Sequence, residues 1–88
     1  MTWNVYLTRK AHKQQVKLPQ SIQDLADLAV ADLEEMGLRP QGWNTLKTGD
    51  DEYRLRLTYR YRMCYRVTGE RAMEIEVFYI GHRRDAYR

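Results

Sequence analysis

From residue 53 onward the chain alternates apolar and polar side chains with period two, and this alternation limits the possible folds more than any other feature. Tyr53, Leu55 and Leu57 fall on one side of an extended ribbon, with Arg54 and Arg56 on the other. After a turn at Thr58 to Arg60, Tyr61, Met63, Tyr65 and Val67 share a side and Arg62, Cys64 and Arg66 oppose them. A second turn around Thr68 to Glu70 leads into Met73 to Ile80, where Met73, Ile75, Val77 and Tyr79 oppose Glu74, Glu76, Phe78 and Ile80. Three strands joined by short turns predict an antiparallel meander. Its apolar face needs a cover, and the first half of the chain must supply it.

The run Trp3 to Leu7 is apolar and aromatic without helical spacing, which predicts a first strand. Thr8 suits the N-cap of a short basic helix over Arg9 to Val16. Pro19 suits the first turn of a second helix, in which Ile22, Leu25, Ala29, Leu33 and Met36 follow the three-and-four spacing of a core stripe and Gly37 is the natural stop. Pro40 and Gly42 mark a loop with Trp43 and Leu46 plugging its underside, and Gly49-Asp50-Asp51 makes a turn. The predicted architecture is α+β, with one antiparallel sheet of about four strands and two N-terminal helices packed on one of its faces. At 88 residues the chain is expected to form a single domain over 1–88.

Two helices can cover only one face, so the arginine-bearing face is expected to stay open. Charge is segregated along the chain to match. Pro19 to Leu38 holds five acids and no lysine or arginine, whereas Tyr53 to Val67 holds five arginines and no acid. Guanidinium forks grip phosphate bidentately and aromatic faces stack on bases, so arginines interleaved with tyrosines suit a nucleic-acid surface. The single cysteine, Cys64, forms no internal disulfide, and with two histidines it makes no metal site, so neither metal nor cofactor is expected. No uncharged run approaches the roughly 20 apolar residues that span a bilayer, and no basic-then-apolar signal pattern opens the chain. These features point to a cytoplasmic protein without membrane contact.

The stretches Tyr53-Arg-Leu-Arg-Leu57, Tyr61-Arg-Met-Cys-Tyr-Arg-Val67 and Ile80-Gly-His-Arg-Arg-Asp-Ala-Tyr87 together resemble the C-terminal half of the RelE/ParE superfamily of bacterial toxin-antitoxin systems. The opening strand, the helix pair and the Gly42 to Lys47 loop fit the same plan, so the resemblance covers nearly the whole chain. It implies a microbial-RNase-like toxin that enters the ribosomal A site, cuts mRNA and thereby stops translation. Its partners would be the ribosome, mRNA and a cognate antitoxin, the last in a hetero-oligomeric complex. The alternative within the superfamily is a ParE-like toxin that inhibits DNA gyrase by protein contact and cuts nothing.

By the same resemblance the catalytic positions are Arg54 and Arg56 on one strand, Arg62 on the next, Arg83 just after the last and Tyr87 at the C-terminus, with His82 as a further acid-base candidate. Cleavage would proceed without metal, by attack of a 2′-hydroxyl on its own adjacent phosphate. Members resembling RelE often carry lysine where this chain has Arg54 and Arg56, and arginine cannot give up its proton, so the general base is open between Tyr87 and His82. Arg9, Lys10, Lys13, Lys17, Lys47, Arg60 and Arg84 would neutralise RNA phosphates around the cut. A plainer reading stands beside each assignment. Arg54, Arg62 and Arg66 would pair across strands with Glu74 and Glu76, His82 would be a hydrogen-bonding loop residue, Tyr87 a frayed tail or antitoxin contact, and the cations of the first helix a solvated helix face.

Overall fold

The computed structural model of this chain describes residues 2–69 and 73–86. Five strands form one sheet: β1 (Asn4–Leu7), β2 (Asn44–Lys47), β3 (Glu52–Arg56), β4 (Tyr61–Gly69) and β5 (Glu74–His82). Two helices, α1 (Arg9–Val16) and α2 (Gln20–Met36), separate β1 from β2, and a single 3-10 turn (Arg83–Asp85) follows β5. The sheet order is β1-β5-β4-β3-β2. β2 to β5 pair antiparallel as a meander, while β1 crosses over to pair parallel with β5 at the far edge. The predicted α+β class, both helices and the meander are present. The expectation of about four strands is corrected to five. Of the two residues expected to plug the underside of the loop, Trp43 packs against the core, but Leu46 belongs to Asn44 to Lys47, which instead pairs along β3 at four ladder positions. Leu46 is accordingly half exposed rather than buried under a loop.

Both helices begin and end where their chemistry directs. The Thr8 side chain accepts the Ala11 N–H at 3.1 Å, which satisfies one orphan donor of α1. α2 stops at Gly37, whose φ of +86° is closed to other residues without strain. A Cβ there would also lie 2.8 Å from Trp3 Nε1, so the indole needs the glycine as well. Ile22, Ala26, Ala29 and Leu33 of α2 and Ala11 of α1 bury against Leu55, Met63, Tyr65, Ile75, Val77 and Ile80. α1 and α2 are tied by Gln15, which donates to Asp27 Oδ1 at 2.8 Å and to the Gln23 carbonyl at 3.3 Å.

The alternation read from the sequence holds in β3 and most of β4 and fails in β5. Cys64 faces Tyr79 but Tyr65 faces Val77, so Phe78 is an extra residue bulged out of the ladder. Past the bulge the two faces exchange. Ile80, expected on the polar side, is fully buried opposite Met63, and Tyr79, expected in the core, sits on the open face opposite Cys64. β1 ends level with Val77, so the rest of that edge of β5 has no strand beside it. There Gln14 of α1 takes the strand's place, its Oε1 accepting the Ile80 N–H at 3.0 Å.

Gly37→Ala combines backbone strain with the Trp3 contact, and urea unfolding is expected to show a loss of roughly 1–3 kcal/mol. An unchanged midpoint would mean that the helix end and the indole move apart freely.

Candidate RNA-cleaving arginine cleft

The sheet face away from the helices is graded in charge along the strands, because residues paired across the ladder project to the same side. At one end Glu52, Arg66 and Glu76 are in register. The middle row is Arg54, Cys64 and Tyr79, and the next is Arg56, Arg62 and Gly81. Carboxylates occupy the first row and guanidinium groups the last.

In the first row the plainer reading of the sequence applies to Arg66. Its Nε lies 3.5 Å from Glu76 Oε1, its Nη1 lies 3.9 Å from Glu52 Oε2, and its guanidinium sits 4.0 Å over the Phe78 ring. Held on three sides, Arg66 is committed to the sheet. Phe78 is on the face that carries Arg66 by the ordinary alternation from Glu76.

Arg62 is used differently. It is 4% exposed, and its Nη1 lies 2.6 Å from the Thr58 carbonyl oxygen, 3.0 Å from that of Tyr59 and 3.2 Å from that of Tyr61, so the β3–β4 turn closes over one end of the guanidinium. Burial, followed by the charges of Arg56, Arg54 and Arg83, lowers its pKa from the ordinary arginine value, though a group with so high a starting value stays protonated. These causes locate the other cations too, since only nearby like charges act in this way. Arg62, Arg54, Arg83 and Arg84 line one cleft of about 320 Å³. Arg83 is carried there by the strand end, its backbone N–H donating to the Arg60 carbonyl at 2.7 Å, and its guanidinium lies 4.4 Å over the Tyr59 ring.

The structure thus brings together Arg54, Arg62, Arg83 and Arg84, with Arg56 in register beside Arg62. It sets His82 apart. His82 pairs with Tyr61, on the helix side of the sheet, and meets that ring edge-on at 5.9 Å. Its Nδ1 accepts the Arg84 N–H at 3.2 Å and caps the 3-10 turn, which leaves the ring proton on Nε2 in the neutral form. Tyr87 lies outside the described residues. Lys47 is in register with Tyr53 and so belongs to the helix side of β2, whereas Arg60 is exposed on the turn at the cleft. Arg9, Lys10, Lys13 and Lys17 line a separate groove of about 530 Å³ along α1. Among the described residues no group of three or more His, Cys, Asp or Glu side chains is placed to hold a metal ion.

Two side chains at the cleft escaped sequence reasoning. Tyr79 reaches the open face only because of the bulge, and its hydroxyl donates to the His82 carbonyl at 2.7 Å. It passes over Gly81, where a Cβ would lie 2.7 Å from the hydroxyl oxygen, so glycine is required there by space. Tyr59, 64% exposed, reads in sequence as an ordinary turn residue, and nothing in the alternation marks it. Cys64 forms part of the cleft's margin between Arg54 and Tyr79, but burial raises its thiol to about 11 against the opposing pull of Arg54, which keeps it a protonated thiol.

A scan against protein-family models and a search of curated proteins both find no match. Solved structures do match along nearly the whole chain. An archaeal RelE in a RelE-RelB complex from Pyrococcus horikoshii is 23% identical, with a TM-score of 0.78 over 98% of this chain and 100% of that one. A mutant of E. coli toxin RelE in the free state is 20% identical, with a TM-score of 0.77 over 99% of this chain and 90% of that one. YoeB from a Staphylococcus aureus dimer is 11% identical, with a TM-score of 0.76 over 94% and 99%. The chain therefore has the fold of the RelE and YoeB toxins, as the resemblance in its sequence implies.

Arg62→Ala removes the Nη1 donor from the Thr58 and Tyr59 carbonyls and one of three donors from the Tyr61 carbonyl, and denaturant unfolding is expected to show a loss of roughly 1–3 kcal/mol, whereas the exposed Arg56→Ala should change stability little. Equal stability of the two variants would contradict the turn-clamping role. With its pKa near 11, Cys64 is roughly one part in a thousand thiolate at pH 8, so iodoacetamide should label it at least about 100-fold more slowly in the folded than in the urea-unfolded protein. The rate should rise as pH approaches 11; fast labelling of folded protein at pH 8 would show the site to be open.

Proposed function

We propose that this protein is a toxin of a toxin-antitoxin pair that inhibits translation by cutting mRNA in the ribosomal A site. One observation carries the reading. Arg54, Arg62, Arg83 and Arg84 converge on a single cleft with Arg56 alongside, and among the described residues its lining is made of these guanidinium side chains. Gathering like charges is unfavourable unless an anion is to be held, and the carboxylates of this face are engaged with Arg66 a row or more away. The RelE and YoeB toxin fold supports the same reading.

The chemistry follows from the groups present. As a 2′-hydroxyl attacks its adjacent phosphate, charge builds on the non-bridging oxygens of a phosphorane. Guanidinium groups fixed beforehand stabilise that charge with little reorganisation. Arg62 is the most firmly fixed, anchored through Nη1, while Arg54 and Arg83 flank it. Arginines cannot accept the hydroxyl proton, Cys64 stays a thiol, and burial raises Tyr79 as well. The proton acceptor is therefore assigned to Tyr87, the position that the resemblance to RelE toxins implies, rather than to His82 on the far side of the sheet. A cleft that supplies charge but little else depends on its substrate arriving in the reactive geometry, and mRNA held on the ribosome arrives so oriented. The cations along α1 add contacts to ribosomal RNA phosphates.

Solved relatives include RelE-RelB and YoeB-YefM complexes, and an antitoxin is the partner proposed here. An acidic antitoxin segment laid over the cleft would satisfy its charge and exclude RNA.

Primer extension on an mRNA under translation in a purified system should show breaks inside A-site codons only when ribosomes are present. Arg83→Ala should slow them by on the order of 10²–10³. Intact message with wild-type protein on translating ribosomes would remove the nuclease reading.

A further inference from the structure

Tyr59 is a large side chain that is 64% exposed, yet the turn around it is tightly built. Leu57 and Thr58 N–H groups both donate to the Tyr61 carbonyl, at 3.0 and 3.3 Å, and the Thr58 hydroxyl oxygen accepts from Arg60 and Tyr61 N–H groups at 3.2 Å. A turn fixed by its own backbone has no packing need for an aromatic residue. Tyr59 nevertheless contacts both principal cations of the cleft. Its carbonyl receives Arg62 Nη1 at 3.0 Å, and its ring lies 4.4 Å below the Arg83 guanidinium.

We propose that Tyr59 is a positioning residue of the arginine cleft, seating Arg83 on its ring while its carbonyl holds Arg62, so that one turn residue sets the spacing of the two cations that grip the phosphate. The proposal rests on the reading of this cleft as a phosphate site. Its physical basis is the contrast between the two arginines. Arg62 is buried and needs no further restraint, but Arg83 is exposed on a long side chain with many rotamers, and its backbone anchors, to the Arg60 carbonyl and from the Ala86 N–H, do not fix the guanidinium. A ring beneath the guanidinium selects the rotamers that keep it flat beside Arg62, and a ring quadrupole holds a cation without neutralising it as a carboxylate would. Arg66 shows the contrasting arrangement on the same sheet, a guanidinium that lies over a ring and is also paired with acids.

The test compares wild type, Tyr59→Phe, Tyr59→Leu, Arg83→Ala and the Tyr59→Leu/Arg83→Ala double variant in single-turnover cleavage of mRNA on stalled ribosomes. The same proteins are titrated at low salt with a 2′-O-methyl RNA trinucleotide, which binds but cannot be cut. Tyr59→Phe keeps the ring and should stay within about twofold of wild type in both assays. Tyr59→Leu should lower the cleavage rate roughly 3- to 30-fold at saturating ribosomes with little change in half-saturation, weaken trinucleotide binding a few-fold, and leave the thermal midpoint unchanged. The double variant should match Arg83→Ala alone, because a seat is idle once its occupant is gone. Multiplying effects of Leu and Ala, or a Phe variant as impaired as the Leu one, would overturn the positioning role. Trinucleotide binding in the expected order without any cleavage by wild type would overturn the nuclease reading and leave the positioning role standing.

Discussion

The open face of this sheet is organised around one buried guanidinium. Arg62 projects from the middle strand of the meander into a site that is 4% exposed and is held there by the carbonyl oxygens of the turn that precedes it. A charge so placed is tolerable only because charge-assisted hydrogen bonds replace its hydration. That arrangement has two consequences. The turn is locked to the strand that follows it, and a fixed positive charge stands at one end of the sheet, against which Arg54, Arg56 and Arg83 gather. The repulsion within such a group favours an anion held among them.

The separation of charge depends on how the two faces of the sheet are used. Both helices pack on one side, and the small residues Ala11, Ala26 and Ala29 let them come close to the strands. The other side is left to polar groups, sorted so that Arg66 is ion-paired with Glu52 and Glu76 at one end, while at the other Arg62 meets turn carbonyls and Arg83 lies over a tyrosine ring. Phe78, in step with Glu76, gives Arg66 a ring to lie on, and the bulge there then puts Tyr79 on the open face and Ile80 in the core. A strand without the extra residue would carry a tyrosine in the core and an isoleucine beside the arginines.

Much of this was legible in the sequence because it is local. The Thr8 cap, the α2 stop at Gly37 and the period-two runs of β3 and most of β4 are set by neighbours a few residues apart, and the structure shows each of them; of the expected α2 stripe, Ile22, Leu25, Ala29 and Leu33 face the core, while Met36 is exposed and Ala26 is buried in addition. The arginines that gather in the cleft were named from the same alternation and from the resemblance to RelE toxins. What was missed is non-local. β2 carries too few apolar residues to announce itself and becomes a strand only because β3 offers it a ladder. The bulge leaves no mark in the pattern of β5, since Val77, Phe78, Tyr79 and Ile80 are all apolar or aromatic and either register reads as plausible.

By itself, then, the sequence determined the composition of the two faces: alternation puts apolar groups on one side of a ribbon and arginines on the other, whatever their final neighbours. Only the tertiary structure decided which arginines act together. Arg62 and Arg66 are equivalent in the pattern, four residues apart on the same side of β4, yet one meets carboxylates and the other turn carbonyls and further cations. His82 and Arg83 are adjacent in the chain, yet the ladder sends the histidine to the helix side while the turn after β5 brings the arginine to the cleft. The reason is that the electrostatic state of a side chain is set by groups brought near it by folding, and those groups come from strands and turns distant in the sequence.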